Sequence, residues 1–332
     1  MLDPARQSTT ALFAHLRDLR LSQRRVPEEV VACGEELVQR GALNKDTDHV
    51  WDTMEQLAHA AVECGQLSLA TVLTARLASR FSDNAPRVAV LQGLLLEGRG
   101  ELRLAREFYE QRLREKETDV LARKRLAALH LSSPFHTLPS SSTSLSPQQS
   151  AYLDASLSLT KGIQVLVHYL DAYYADHAAW LSLSAAYAQL SLYPQALSAA
   201  SHAVLLQPHN TWIALKHAEI AYTAGEIETA WKEFLRVVET SSDEGEQKLT
   251  GPGRRAAMGA RLCLPRLRAA SASSSKPSSA TATSDPLLSP KHLDAMDLLL
   301  TRLLLDDYAR DGAVNAGVVR KGLGSAEGEG VR

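Results

Sequence analysis

Apolar residues recur every three or four positions through most of residues 9–240, and no β-branched run alternates strictly with polar residues. This pattern predicts helices and no sheet. The predicted helices also share a period. Gly65, Gly100, Ser191 and Gly225 each stand five residues before an alanine, at Ala70, Ala105, Ala196 and Ala230. The first two alanines are 35 residues apart and the last two are 34 apart. Glycine ends a helix readily, because a left-handed residue there meets no Cβ clash. The alanine then falls early in a second helix, where a small side chain lets two helices approach closely. A larger residue follows four positions on in two units, Tyr109 after Ala105 and Phe234 after Ala230. Asp48, Asn84, Asp119, Asp176 and Asn210 stand at matching intervals as expected N-caps of the first helices.

The segment 176–208 holds the fullest signature: Trp180, Leu183, Ser184, Tyr187, Ala196, Ala200, Ala203 and Pro208. Trp, Leu, a small residue, Tyr, further small residues and a closing Pro follow the tetratricopeptide order. Ser184 stands for the usual glycine and Ala200 for the usual large aromatic. Pro208 cannot continue a helix. The fold class expected is all-α, a tetratricopeptide-repeat superhelical solenoid with Ser-rich loop insertions. Trp180, Tyr187, Tyr109 and Phe234 read as packing residues of that fold.

The register also orders the chain. Two short helices over 9–40 sit in an N-terminal part, 1–47. Repeats follow over 48–240. The third repeat is split: its helices are expected at 119–131 and 159–174, with Gly162 as the small residue. Removing about 24 residues between them restores the period from 105 to 162 to 196. The Ser/Pro-rich stretch 132–157 therefore reads as a loop insertion. A C-terminal part, 241–310, holds a helix near 253–269 that Pro265 kinks or ends. A disordered linker follows at 270–290, then a helix at 291–310 with a stripe of Leu293, Met296, Leu300, Leu303 and Leu304. That last helix either caps the array or docks on a partner. Residues 311–332 read as a flexible tail.

Composition narrows the function. The chain has 332 residues and a formal charge of −2, so it lacks the basic footprint of a nucleic-acid binder. Three widely spaced cysteines, Cys33, Cys64 and Cys263, make no disulfide framework and point to a reducing compartment. No run of about 18 apolar residues is present, and the start lacks a secretory apolar core. Residues 11–25 are amphipathic and Arg-rich like a mitochondrial presequence, but Asp3 and Asp18 favour an ordinary first helix.

Candidate chemistry is sparse. Residues 251–256 fit G-x-G-x-x-A but lack the strand before it. There is no Walker lysine motif, no G-x-S-x-G, no H-E-x-x-H and no zinc-spaced Cys/His set. No catalytic residue, cofactor, metal or small-molecule substrate is expected. Arg24-Arg25 and Arg123-Lys124-Arg125 are either solvated helix faces or contacts for lipid headgroups or acidic partners. If the first helices of each pair line a concave face, the partner-binding candidates are Trp212, Leu215, Glu219 and Tyr222 in the fifth repeat. Leu181, Ala185 and Gln189 are those of the fourth. Trp212 is either an exposed anchor or packing against the preceding repeat.

The order of segments resembles one family. EEVVACGEELVQRG stands before the first repeat. VWDTMEQLAHAAVECGQLSLATVLTARLASRF, ELRLAREFYEQRLREKETDVLARKRLAAL and DHAAWLSLSAAYAQLSLYPQALSAASHAVLLQPHN follow. Together they are similar to subunit 2 of the endoplasmic reticulum membrane protein complex. The Ala-Arg-Lys-Arg stretch at 122–125 and the Pro-His-Asn corner at 208–210 strengthen the match, which covers roughly 26–240 without 132–157. The Ser-rich insertions depart from the family's compact form. The resemblance implies a non-catalytic scaffold on the cytosolic face of that membrane, held peripherally by partners that include membrane subunits and a soluble cytosolic subunit. The complex inserts transmembrane segments, tail anchors among them. The alternative is a co-chaperone-type adaptor that binds peptide tails. Such modules hold a terminal carboxylate with a basic cluster, and the fourth repeat shows none.

Overall fold

In a computed structural model the chain is described at residues 4–45, 47–132, 147–242, 249, 251–273, 289–311 and 317. Over 147–156, 271–273 and at 290 the description is of backbone alone. The chain forms two compact units, Met1–Tyr169 and Leu170–Arg332. The first holds α1 (Thr9–Leu21), α2 (Pro27–Gln39), α3 (Asp48–Glu63), α4 (Leu67–Phe81), α5 (Pro86–Gly98), α6 (Leu102–Glu115) and α7 (Val120–Ser132). It also holds most of α8 (Pro147–Ala172). The second holds α9 (His177–Gln189), α10 (Tyr193–Leu206), α11 (Thr211–Ala224), α12 (Ile227–Ser241), α13 (Gly253–Ser273) and α14 (Pro290–Asp311). Among the described residues the only β pairing is an isolated bridge, Ser242 with Leu249.

The five-residue register has a uniform structural cause. Gly65, Gly100, Ser191 and Gly225 all have positive φ, at 76°, 78°, 60° and 90°. In each case the next residue's N–H reaches back to the carbonyl five residues earlier. The bonds run from Gln66 to Ala61 at 2.8 Å, Glu101 to Leu96 at 3.0 Å, Leu192 to Tyr187 at 2.9 Å and Glu226 to Ala221 at 3.0 Å. This is the Schellman closure of a helix C-terminus. The same residue's carbonyl then accepts from the register alanine and opens the second helix. Ala70, Ala105, Ala196 and Ala230 are all fully buried.

A second small position lies seven residues before each left-handed residue: Ala58, Gly93, Ser184 and Ala218, all buried. A Cβ on Gly93 would run into the Tyr109 ring. Ser184 turns the same closeness into a bond, its hydroxyl donating to the Ala196 carbonyl at 2.7 Å. The chain therefore has an all-α, tetratricopeptide-type fold.

Several expectations are corrected. Asp119, Asp176 and Asn210 cap as predicted, accepting from Ala122, from Ala178 and Ala179, and from Trp212. Asp48 is instead the first residue of α3, behind Thr47, and Asn84 precedes the cap of α5, which opens on Pro86. Asn84 accepts from Arg112 at 3.3 Å, and Arg112 also pairs at 3.1 Å with buried Asp119. α8 begins at Pro147, so the last part of the predicted 132–157 loop is helical. A proline at the first helical position lacks only an N–H that would be unpaired anyway. Residues 133–146 lie outside the described residues, as does most of 270–290 and of 311–332. α13 runs through Pro265 to Ser273 rather than ending there. α14 packs on α13, with Leu293, Leu300 and Leu304 fully buried in a core shared with Cys263, Leu264 and Trp231. Of the predicted 291–310 stripe, Met296 is partly buried and packs against that core. Asp297 bonds Arg261 at 2.7 Å on one side of this contact.

The α7–α8 contact holds a buried histidine. Ser158 donates to the His130 carbonyl at 2.8 Å, and a Cβ at Gly162 would lie 2.9 Å from Leu131. Burial lowers the His130 pKa to about 4, aided by the charges of Arg106 and Lys161.

Two predictions follow from this packing. Ser191→Gly relieves a left-handed residue and should stabilise the chain by about 1 kcal/mol, while Gly225→Ala should destabilise it by a similar amount. Urea unfolding measures both, and equal midpoints for Ser191→Gly and the parent would contradict the strain. His130 is neutral when folded, and its pKa lies below the unfolded value of about 6.5. The stability it confers is complete above that pH and is lost as pH falls through about 4. Unfolding free energy measured between pH 7 and 4 should drop less steeply in His130→Leu than in the parent.

Candidate partner-binding face

α11 carries the candidates Trp212, Leu215, Glu219 and Tyr222 on one face, at spacings of three and four residues. The structure separates them. Trp212 is 55% exposed, whereas Leu215 is completely buried in the core formed with α12, α13 and α14. Leu215 is therefore a packing residue, and its assignment as a binding candidate is corrected. It fails because α13 lies against α11 and covers the middle of that face.

The face that remains is built from both helices. A Cβ on Gly251, just before α13, would lie 3.9 Å from the Trp212 indole nitrogen. Arg255 pairs with Glu219, and Glu219 also meets Lys216 at 3.1 Å. The Arg266 guanidinium sits 4.6 Å from the centre of the Tyr222 ring, a cation–π contact. Arg255, Met258, Leu262 and Arg266 fall at i, i+3, i+7 and i+11 of α13 and so share a side. Met258 is 40% and Leu262 61% exposed, which leaves an apolar step between two arginines. Trp212 lies outside the core cluster beside it.

In α9, Leu181 is half-buried while Ala185 and Gln189 are exposed. Among the described residues no hydrogen bond, ion pair or ring contact joins Leu181 or Gln189 to the α11 group. The neighbouring Trp180 is engaged inside the unit. It stacks on His202 at 4.6 Å and donates to the Tyr174 carbonyl at 2.8 Å.

The contribution of α13 was missed in the sequence. The signal was present as the spacing of Arg255, Met258, Leu262 and Arg266, but five arginines in one helix blurred which side each served. The basic run 123–125 goes the other way, since it is used internally. Arg123 is buried, Arg125 pairs with Glu97, and Lys124 lies 5.5 Å from the centre of the Tyr169 ring. Glu97 also accepts from Tyr109 at 2.8 Å, and burial raises the Tyr109 pKa.

Among the described residues no group of three or more His, Cys, Asp or Glu side chains could hold a metal ion. Cys263 is buried in the α12–α13–α14 core, and burial raises its thiol pKa to about 11, so the thiolate nucleophile is suppressed. No helix of the described residues is long and apolar enough to cross a membrane.

No family model matches the chain. Curated relatives do. The TPR repeat protein oca3 of Schizosaccharomyces pombe is 30% identical over 55% of this chain and 56% of its own length. ER membrane protein complex subunit 2-A of Xenopus laevis is 27% identical over 60% of this chain and 59% of its own. Subunit 2 of Dictyostelium discoideum is 29% identical over 59% and 53%. The chain thus spans between half and three-fifths of the length of these relatives. Among solved structures, MamA from Desulfovibrio magneticus RS-1 superposes with a TM-score of 0.43 at 17% identity, covering 59% of this chain and 97% of that one. By sequence, the chain is similar to the ER membrane protein complex subunit 2 proteins and to the TPR repeat protein oca3.

Proposed function

We propose that this chain is a non-catalytic scaffold subunit of the endoplasmic reticulum membrane protein complex. In this reading it sits peripherally at the cytosolic face and supports insertion of transmembrane segments, tail anchors included. The observation that carries the reading is its kinship with subunit 2 proteins over about three-fifths of the chain. The fold supports it, because paired helices present extended faces to other proteins. Its partners are the other subunits, a soluble cytosolic one among them. Trp212 and the Arg255–Leu262–Arg266 side of α13 supply an aromatic anchor, an apolar step and flanking cations, the residue types enriched at interface centres. A peptide-tail adaptor is the weaker reading. The cations beside α11, Lys216 and Arg255, are both paired with Glu219 and not held open for a terminal carboxylate.

Affinity purification of the tagged chain in mild detergent should recover several membrane subunits together with a soluble one. Recovery of the chain alone would sink the proposal. Combining Trp212→Ala with Leu262→Glu should weaken partner recovery by roughly 30-fold, about 2 kcal/mol, if this face is the contact. Both side chains are more than half exposed, so helicity by circular dichroism should stay at the parent value.

A further inference from the structure

A cavity of about 360 Å³ opens between α1, the short turn Ala42–Asn44 and the start of α3. Its floor is apolar, from Phe13 and Val50, and its wall carries Arg17, Arg20, Lys45 and His49. None of the lining residues is an aspartate or glutamate. Asp18 and Asp48, which adjoin Arg17 and His49 in sequence, are not among them.

Several arginines of the chain pair with carboxylates, as Arg87 does with Glu55, Arg112 with Asp119 and Arg254 with Asp307, whereas Arg76 and Arg99 meet the neutral Asn44 and Thr71. Arg20 is half-buried, yet it donates to neutral partners: Gln56 Oε1 at 2.9 Å and Thr53 Oγ1 at 3.3 Å. Thr53 is itself fixed, donating to the His49 carbonyl at 2.7 Å. Arg17, Lys45 and His49 are exposed, and among the described residues they enter no ion pair. Three cations around one recess repel each other, and low-dielectric walls focus their field outwards. An anion entering the recess removes that repulsion. The apolar floor adds a requirement that a bare inorganic ion does not meet.

The geometry points to a binding site for an acidic peptide segment whose carboxylates flank an aliphatic or aromatic side chain. The apolar side chain would rest on Phe13 and Val50, and the carboxylates would meet Arg17, Lys45 and the free donors of Arg20. Thr9 and Thr10 also line the recess. This site lies in the first compact unit and is separate from the α11–α13 face.

The test is fluorescence anisotropy on the full chain with a labelled ten-residue peptide alternating Glu or Asp with Leu or Phe. Its partner is the same peptide with Gln and Asn at the acidic positions. The acidic peptide should bind at least 10-fold more tightly, with the margin shrinking as salt rises. Combining Arg17→Glu with Lys45→Glu should remove the margin. The pair Arg103→Glu and Arg114→Glu, with the same change of net charge on α6, should leave it intact. Ala14→Trp, which fills the recess from its exposed rim, should abolish binding without charge change, and circular dichroism checks that each variant is folded. Equal binding of the two peptides, or an acidic margin that survives both the charge and the filling variants, would overturn the assignment. Binding to phosphatidylserine vesicles that Arg17→Glu with Lys45→Glu abolishes, in a chain that ignores both peptides, would overturn it in favour of a membrane surface.

Discussion

Close approach of paired helices is the constraint on which this molecule depends. Two helices can pack backbone-near only if the side chains between them are small, and only if the turn joining them aims the second back along the first. The chain meets both conditions at fixed spacing. Ala58, Gly93, Ser184 and Ala218 keep the first helices thin, and Ala70, Ala105, Ala196 and Ala230 keep the second helices thin. The left-handed residue between them sets the direction. Larger side chains then lie over small ones, both within a pair and between successive pairs. Tyr109 lies over Gly93, and Phe234 lies over Gly259 in α13. Small and large positions are thus two halves of one packing device, and neither can be changed without the other.

This is why so much of the fold could be read from the chain. A periodic constraint writes itself into the sequence at every repeat, so the five-residue interval located eight helices without any side-chain geometry. Features that occur once do not repeat and were harder to see. The start of α8 at Pro147 hides in a Ser-rich stretch whose composition resembles a loop. Asn84 has the chemistry of a cap, but Pro86 takes the helix start, and Asn84 is drawn to Arg112 on another helix. Pro265 lies inside a helix that is held on both sides, by the α12 contact and by ion pairs to α14. Tertiary packing there outweighs the hydrogen bond that proline removes.

The candidate face was half legible for a related reason. Helical spacing identifies which residues share a side, and Trp212, Glu219 and Tyr222 do share one. It does not identify what lies opposite. Leu215 shares that side too, yet it is buried because α13 crosses it, and α13 falls where the repeat signal weakens. The arginines of α13 show the same limit. Arg254, Arg261 and Arg268 reach carboxylates of α14, while Arg255 and Arg266 reach α11. One composition serves two neighbours, and only the angular position of each residue distinguishes them.

Charge pairing gives a further way to tell surface from structure. Arg112 with Asp119, Arg125 with Glu97 and Arg254 with Asp307 each place a guanidinium against a carboxylate that is less than a fifth exposed. Leaving either partner alone in such surroundings is costly, so these pairs tie helices together and offer little to an incoming protein. A basic run such as 123–125 therefore reads differently once its partners are known. Arg125 is neutralised by Glu97, Arg123 is buried against the Glu117 carbonyl, and Lys124 lies over the Tyr169 ring. The positive groups that retain an outward field are those whose neighbours are neutral. In the first unit Arg20 is one of these, bonded to Gln56 and Thr53 at the recess lined by α1 and α3.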